Sequence, residues 1–195
     1  INIQTNKGIL LYGENQGYKN ETIEVKFKKN YSENIFYYEE SEIINNIEGF
    51  FSTVLTKSFF DNNKLIIISR VGDKILKIIE EIIEKNTEDI KIILNANTLD
   101  KKSKLRSFFE KDKDAVCVPF YEDNNQTLNS IVSQFFRNKN ISISQQLINI
   151  LIERSRGDRK NLNNELEKIE SFSLKKKNIT LEEIIKLTNL ADNYS

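Results

Sequence analysis

The first apolar run of the chain is followed by a turn in which two glycines and a lysine are closely spaced. The run covers residues 9–12, and the turn reads GENQGYKN over residues 13–20. A phosphate-binding loop has the pattern G-x-x-x-x-G-K-[ST], in which backbone amides hold phosphates, the lysine reaches the outer ones and the hydroxyl binds magnesium. Here the two glycines are one residue too close together, and Asn20 replaces the hydroxyl. Gly13, Gly17 and Lys19 therefore predict a degenerate nucleotide site.

A second motif of nucleotide hydrolases is missing at the end of the apolar run over residues 64–68. The run is followed by Ser69-Arg70, where a nucleotide hydrolase carries an acidic pair for magnesium and water. Because the phosphate loop and the acidic pair are both missing, we do not expect the chain to hydrolyse ATP.

Polar residues occur at two further places where nucleotide hydrolases sense phosphate. Asn95 and Asn97 follow the apolar run over residues 90–94, and SRGDR over residues 155–159 places two arginines next to a helix start. The alternative for the asparagines is ordinary turn chemistry. For Gly157-Asp158 the alternative is a helix stop followed by a helix cap. We favour the structural interpretation in both cases.

The composition excludes several other kinds of chemistry. The 195 residues contain no His, so histidine bases and histidine metal ligands are excluded within the chain. Cys117 is the single cysteine, and its apolar neighbours predict a buried structural thiol. The 29 basic and 29 acidic residues balance, which argues against a wholly basic nucleic-acid coat. We expect no metal, no cofactor and no membrane span, and a cytoplasmic location.

Five apolar runs must supply the strands that position these residues. They lie at residues 9–12, 34–38, 64–69, 90–94 and 115–120. The run KLIIIS is typical of a strand that is buried on both faces of a parallel sheet. Apolar residues at helical spacing predict helices over residues 43–55, 75–83 and 99–111. This alternation predicts a mostly parallel sheet with helices on both faces.

After about residue 122 the sequence predicts helices alone. One apolar stripe covers residues 128–136, and the spacing from Ser142 to Gln145 predicts a capping box that opens a second helix. Asp158 is expected to cap a third helix and Thr180 a fourth. The predicted organisation is an α/β domain over residues 1–122, a helical lid over 123–190 and the start of a linker over 191–195. This layout resembles that of AAA+ proteins, so the expected fold is an AAA+/RecA-like parallel-sheet domain followed by a small all-α lid domain.

Four blocks of the chain resemble the delta subunit of the bacterial DNA polymerase III clamp loader. They are ILLYGEN, TKSFFDNNKLIIISRV, IKIILNANTLDKKSKLRSFFEK and SRGDRKNLNNELEKI, in this order along the chain. The resemblance implies an AAA+ layout without ATP binding or catalysis of its own, as a subunit of the polymerase holoenzyme. It also implies a third, helical collar domain that joins the loader's subunits. Since the chain stops near residue 190, we expect a fragment that lacks the collar and is monomeric.

The resemblance implies that the chain binds and opens the ring-shaped sliding clamp. Family members hold the clamp through a hydrophobic pair at a helix end, and the matching residues here are Phe59 and Phe60, beside Ser58. Leu55 occupies the place of an upstream Gln that clamp-binding peptides often carry. From the residues alone the pair has two interpretations, because Phe59 lies four positions after Leu55 and could extend a buried helix face. An exposed aromatic pair next to the turn Asp61-Asn62-Asn63 would instead suit a partner's pocket.

Basic residues form two clusters. Lys101, Lys102, Lys104 and Arg106 lie on one segment, and residues 175–177 are three consecutive lysines. Either cluster could contact DNA phosphates, and a solvated helix face is the alternative. The partners that the resemblance implies are the sliding clamp (beta subunit), the loader's ATPase subunits, the delta-prime subunit and primed DNA.

Two other functions compete with this interpretation. One is an active AAA+ or P-loop ATPase with divergent motifs, which predicts tight ATP binding. The other is a stand-alone nucleic-acid-binding protein, which predicts strong, salt-dependent DNA affinity without a clamp.

Overall fold

Five strands form one parallel sheet in the computed structural model, which describes residues 6–31, 34–56, 63–85, 89–173 and 181–189. The strands are β1 (Gly8–Tyr12), β2 (Ile35–Glu39), β3 (Lys64–Val71), β4 (Ile90–Ala96) and β5 (Ala115–Pro119). Their order is β2-β3-β4-β1-β5, and each neighbouring pair is parallel. The five predicted strands are confirmed, each with ends within two residues of the prediction.

Helices cover both faces of this sheet, as the alternation of elements predicted. They are α1 (Gln16–Lys26), α2 (Glu40–Asn45), α3 (Ile47–Leu55), α4 (Leu76–Glu84) and α5 (Lys104–Lys111). Short 3₁₀ turns follow α1 and β3, at Lys28–Asn30 and Asp73–Ile75. Ile23 of α1 and Phe27, which follows this helix, pack on one face of the sheet, whereas α2 to α5 contribute to the core on the other face. Helices on both faces bury the inner strands β1, β3 and β4, in agreement with their nearly continuous apolar sequences.

The prediction of one helix over residues 43–55 was wrong, because Asn46 separates α2 from α3. The backbone of Asn46 is not helical, with φ −146° and ψ 67°, and its side-chain oxygen accepts a hydrogen bond from Gly49 N at 3.0 Å. This cap satisfies one of the amides that a helix start leaves without a partner. Ile43 and Phe50 are buried on either side of the break, so the apolar pattern continues across it.

The prediction of a helix over residues 99–111 was also wrong at its start, since α5 begins at Lys104. Asp100 accepts a hydrogen bond from Lys102 N at 2.7 Å, which holds a turn before the helix. Ser103 then caps α5 by accepting from Arg106 N at 3.2 Å. Side chains that bond to nearby amides in this way favour turns and caps over a continued helix.

The contacts between Cα atoms divide the chain into two units, Ile1–Glu122 and Asp123–Ser195. The second unit contains α6 (Asn125–Asn138), α7 (Gln145–Arg154), α8 (Arg159–Ser173) and α9 (Leu181–Asn189). Its described residues include no strand, and its core is formed by residues such as Leu128, Phe136 and Leu151. The sequence placed the cap of α7 two residues too early, since Ser144 rather than Ser142 accepts from Leu147 N.

The turn between α7 and α8 agrees with its prediction. Gly157 has φ +75°, a left-handed conformation that glycine adopts without strain. Asp158 then accepts a hydrogen bond from Asn161 N at 2.8 Å and so caps α8. Within the described ranges of the chain, none of the helices has both the length and the apolar character needed to span a membrane.

Candidate functional site

The carboxyl ends of β1 and β4 meet where the strand order reverses. β1 lies between β4 and β5 in the sheet. After β1 the chain continues to β2, β3 and β4, which all lie on one side of β1, and then crosses to β5 on the other side. In open parallel sheets, the crevice at such a switch point is where ligands usually bind. This is the place at which a nucleotide phosphate would have to be held.

Lys19 fills this crevice with its own ammonium group. Its side chain is fully buried, and Nζ donates hydrogen bonds to Gly13 O at 2.8 Å and to Ala96 O at 2.5 Å. Gly13 follows β1 and Ala96 ends β4, so the ammonium joins the two strand ends at the switch point. The lysine that would reach for phosphate in a working loop is therefore committed to backbone carbonyls.

Burial lowers the pKa of Lys19 to about 8. The low-dielectric surroundings disfavour the charged form, since desolvation of an ammonium is only partly compensated by two carbonyl oxygens. Lys19 is still mostly protonated at neutral pH, because its pKa lies above 7.

The start of α1 is closed by side chains of the protein itself. Asn15 Oδ1 accepts from Tyr18 N at 2.9 Å, and Asn15 Nδ2 donates to Tyr121 O at 3.1 Å. Gln16 N donates to Glu14 O at 2.8 Å. Helix N-termini bind anions through amides that have no partner within the helix, and here several of those amides are already bonded. Gly17, the second glycine of the expected loop, lies inside α1 rather than in a loop.

Gly13 places the turn directly against the end of β5. It has φ +120°, and a Cβ atom built on it would lie 2.3 Å from Phe120 O. Asn15 N also donates to Phe120 O, at 3.2 Å. Asn15 N and Lys19 Nζ are thus both bonded to backbone carbonyls of the protein. The residues present at this site therefore do not offer a nucleotide the donors that a phosphate loop supplies.

Ser69 and Arg70 lie near the end of β3, where a nucleotide hydrolase carries its acidic pair for magnesium. Arg70 has φ 56° at an irregularity between β3 and β4, and its exposed Nη1 pairs with Glu39 Oε2 at 3.2 Å. The described residues contain no cluster of three or more His, Cys, Asp or Glu side chains that could hold a metal ion.

The two asparagines after β4 behave differently from each other. Asn97 is exposed, and its carbonyl accepts a hydrogen bond from Gly13 N at 3.2 Å, which supports the turn-chemistry interpretation. Asn95 is buried, and its Oδ1 atom has no hydrogen-bond partner within the described structure.

The arginine that resembles a lid sensor is used inside the second unit. Arg159 donates from Nε to Asp123 Oδ2 at 2.7 Å and from Nη2 to Asp123 Oδ1 at 2.6 Å. The two side chains are only 10% and 5% exposed. A buried bidentate pair of this kind is strong and directional, so it supports a structural role for Arg159.

Cys117 fits the expectation of a structural thiol, although it is half-buried rather than fully buried. Burial raises the pKa of its thiol to about 11. Because the thiolate is the nucleophilic form, a thiol with this pKa is unreactive at neutral pH.

Most of the expected clamp-binding residues lie outside the described residues. These are Ser58, Phe59 and Phe60. Leu55 is described: it ends α3 and is half-buried against the core of the sheet.

Lys64 is a residue that the sequence analysis missed, next to this segment. Although it starts β3, its side chain is buried, and Nζ donates to Thr53 O at 2.8 Å, Val54 O at 3.3 Å and Thr56 O at 2.5 Å. The last carbonyls of a helix have no partner within the helix, and a lysine can satisfy them. The sequence analysis included Lys64 in the buried run KLIIIS but assigned its ammonium no partner.

The basic residues near α5 are not equivalent. Lys101, Lys102 and Lys104 are exposed. Arg106 instead donates from Nε to Glu110 Oε1 at 2.7 Å and lies over the ring of Tyr12 at 4.8 Å, so its guanidinium is engaged within the fold. The three lysines at residues 175–177 lie outside the described residues.

Asp73 is a second missed residue, and it holds the start of α5. Its carboxylate accepts from Ser103 Oγ at 2.7 Å, Leu105 N at 3.0 Å and Lys104 N at 3.1 Å. These hydrogen bonds, first of all the one from Leu105 N, hold the pKa of Asp73 below its ordinary value. A separation of about thirty residues from its partners leaves no local sequence signal for this cap.

Comparison with protein families matches residues 10–121 to the model described as "DNA polymerase III, delta subunit". The matched region includes the switch point, where Lys19 joins the ends of β1 and β4, which we call the closed switch point. It also includes Phe59 and Phe60. The chain belongs to the DNA polymerase III delta subunit family. The sequence-based recognition is thereby confirmed. No curated protein matches the chain by sequence comparison.

Solved structures confirm the AAA+/RecA-like fold. The Bacillus subtilis DNA clamp loader delta protein (YqeN) matches with a TM-score of 0.65 at 18% identity, over 94% of this chain and 58% of that one. The RuvB Holliday junction branch migration motor of Thermotoga maritima matches with a TM-score of 0.51 at 14% identity, over 94% and 61%. This member of the delta family therefore spans about three-fifths of the length of these structures.

Proposed function

We propose that this chain binds the sliding clamp and favours its open form, as a non-catalytic subunit of a replication clamp loader in the cytoplasm. Membership of the delta family over residues 10–121 carries the proposal, since this region contains the Phe59-Phe60 pair. The closed switch point supports the absence of catalysis, because the ammonium of Lys19 already occupies the crevice between β1 and β4.

The proposed mechanism needs no chemistry from this chain. A protein that binds the open ring more tightly than the closed ring shifts the ring towards opening by the difference in binding free energy. The energy that resets the cycle would come from the ATPase subunits of the loader. Those subunits, the delta-prime subunit and primed DNA are the further proposed partners, and Lys101, Lys102 and Lys104 are the proposed DNA contacts within this chain.

Phe59 and Phe60 are the proposed anchors, with Ser58 and Leu55 next to them. Leu55 packs against the core at the end of α3. Aromatic anchors in a partner's pocket commonly cost about 2 kcal/mol or more when truncated, which is roughly thirtyfold in affinity.

The experiment is a pull-down of the chain with its cognate sliding clamp, with Phe59→Ala and Phe60→Ala as variants. We expect the unaltered chain to retain the clamp and each variant to lose it without a change in melting temperature. If the rings belong to the core instead, each variant should lose about 3–5 kcal/mol of stability through the cavity left behind. An ATP titration separates this proposal from the ATPase alternative, which requires micromolar binding to the isolated chain.

A further inference from the structure

Two loops leave the carboxyl edge of the sheet side by side. β3 and β4 are neighbouring parallel strands, and Val71 at the end of β3 pairs with Ala96 at the end of β4. The loop after β3 covers residues 72–75, and the loop after β4 covers residues 97–103 and leads into α5. Because both loops start at the same edge, side chains from both can contribute to one surface.

Asp73 ties the two loops together. Its carboxylate accepts hydrogen bonds from Ser103 Oγ at 2.7 Å, Leu105 N at 3.0 Å and Lys104 N at 3.1 Å. Asp73 directly precedes Lys74, and the Cα atoms of consecutive residues lie about 3.8 Å apart. The contact that caps α5 therefore also brings Lys74 close to Lys104.

The other carboxylates near these loops are bonded to backbone amides as well. Asp100 Oδ1 accepts from Lys102 N at 2.7 Å. Glu40 Oε1, at the start of α2, accepts from Gly72 N at 2.9 Å and from Ile75 N at 3.2 Å. These acids offset part of the positive charge around them, but their oxygens are used to hold the loop backbones in place.

The exposed lysines of this edge have no such commitment. We call them the two-loop lysines, and they are Lys74, Lys101, Lys102 and Lys104. Among the residues that the structure describes, none of the four forms an ion pair, whereas the nearby arginines do: Arg70 pairs with Glu39, and Arg106 pairs with Glu110. The ammonium groups of the two-loop lysines are therefore available to the anionic groups of a partner.

We propose that the two-loop lysines form one surface that binds the phosphate backbone of duplex DNA, and that Asp73 is the positioning residue that holds its two halves together. The inference rests on the proposed function, in which primed DNA is a partner and three of these lysines are contacts; Lys74 and Asp73 are its new members. An ammonium group is a compact point charge that contacts phosphate without reading bases. Several such charges on one surface suit a partner whose anionic groups repeat along a line, as the phosphates of DNA do.

The test measures binding of a fluorescein-labelled short DNA duplex to the 195-residue chain by fluorescence anisotropy, at salt concentrations between about 50 and 200 mM. The variants are Lys74→Gln in the first loop and Lys102→Gln in the second. Lys113→Gln is the matched control, because Lys113 is also exposed but precedes β5 and so lies at the amino edge of the sheet. Circular dichroism shows that each variant is folded.

We expect the unaltered chain to bind the duplex in the range of non-specific DNA binding, about 10⁻⁴–10⁻⁶ M. Lys74→Gln and Lys102→Gln should each weaken binding roughly tenfold at about 50 mM salt, because each removes one phosphate contact and the counterion release that goes with it. Each should also reduce the slope of the logarithm of affinity against the logarithm of salt concentration by about 0.9. Lys113→Gln should bind within about twofold of the unaltered chain, with an unchanged slope.

Asp73→Ala separates positioning from charge. The substitution removes a negative charge next to Lys74 and Lys104, so charge alone predicts tighter DNA binding. We expect binding to weaken roughly threefold instead, because fewer molecules then hold the two loops together. If Asp73→Ala does not fold, Asp73→Asn, which cannot accept from all three donors, replaces it with the same direction of change.

The inference is overturned if Lys74→Gln binds like Lys113→Gln; a loss confined to Lys102→Gln would then leave the DNA contacts of the proposed function intact. Binding by Asp73→Ala as tight as that of the unaltered chain, or tighter, would also overturn it. So would equal or tighter binding of polyglutamate, since the partner would then be an acidic protein surface, and so would the absence of duplex binding at the lowest salt concentration. Clamp binding in the pull-down tests the proposed function separately from all of these outcomes.

Discussion

The buried ammonium of Lys19 predicts an unusual dependence of stability on pH. In the folded chain burial lowers its pKa to about 8, whereas an unfolded lysine titrates at 10.5. Between these two values the unfolded state binds more protons than the folded state, so stability should rise with pH across this window. With these two pKa values, Lys19 should raise the free energy of unfolding by about 2 kcal/mol between about pH 7 and pH 9.5.

The comparison of the unaltered chain with Lys19→Met isolates this contribution. Other groups also titrate in the window; the raised pKa of Cys117, for example, makes the folded state lose stability above about pH 9, since the unfolded thiol ionises first. Such contributions are shared by both proteins and cancel in the difference.

The assay is urea unfolding followed by far-UV circular dichroism, at about pH 7 and about pH 9.5. We expect the unaltered chain to gain about 2 kcal/mol relative to Lys19→Met between the two values. Lys101→Met, at an exposed position, controls for the loss of one positive charge. A difference between Lys19→Met and the unaltered chain that stays constant across this range would refute the reasoning that Lys19 is buried in the switch-point crevice.

Two further predictions concern the turn at Gly13 and the ion pair between Asp123 and Arg159 in the second unit. Gly13→Ala should cost about 2–4 kcal/mol, because the residue has φ +120° and its new methyl group would lie 2.3 Å from a backbone oxygen; Gly157→Ala, with φ +75° and no atom within 4 Å of its Cβ, should cost only about 1 kcal/mol. Both are measured by urea unfolding, and equal costs would contradict the close packing of the turn. Asp123→Ala should cost about 3 kcal/mol, since it leaves the guanidinium of Arg159 buried without its carboxylate, and the double variant Asp123→Leu with Arg159→Met should recover most of this loss. A single variant as stable as the unaltered chain would show that the pair contributes little.

The strands and the helical C-terminal part could be predicted because their signals are local. A run such as KLIIIS has few alternatives to a strand buried on both faces, and the change to helical spacing after residue 122 is visible without any tertiary information. Helix α1 was harder, because only Lys19, Thr22 and Ile23 of its residues are buried and two of these are polar. Its sequence therefore lacks the apolar stripe by which the other helices were recognised.

The site was predictable only in part, since its decisive contacts join distant parts of the chain. The sequence showed that the phosphate loop was degenerate, but the bond from Lys19 to Ala96 O spans 77 residues and depends on the placement of β4 next to β1. The same limit hid the cap by Asp73, whose partners lie 30 to 32 residues further along the chain. The break at Asn46 was missed for a different reason, because the apolar pattern of Ile43 and Phe50 continues across it.

Clamp binding by the Phe59-Phe60 pair is the central claim, and isothermal titration of the cognate sliding clamp into the 195-residue chain tests it most directly. The account predicts binding by the unaltered chain, a loss of roughly thirtyfold in affinity for each of Phe59→Ala and Phe60→Ala, and an unchanged melting temperature for both variants. A folded double variant that binds the clamp as tightly as the unaltered chain would contradict the claim.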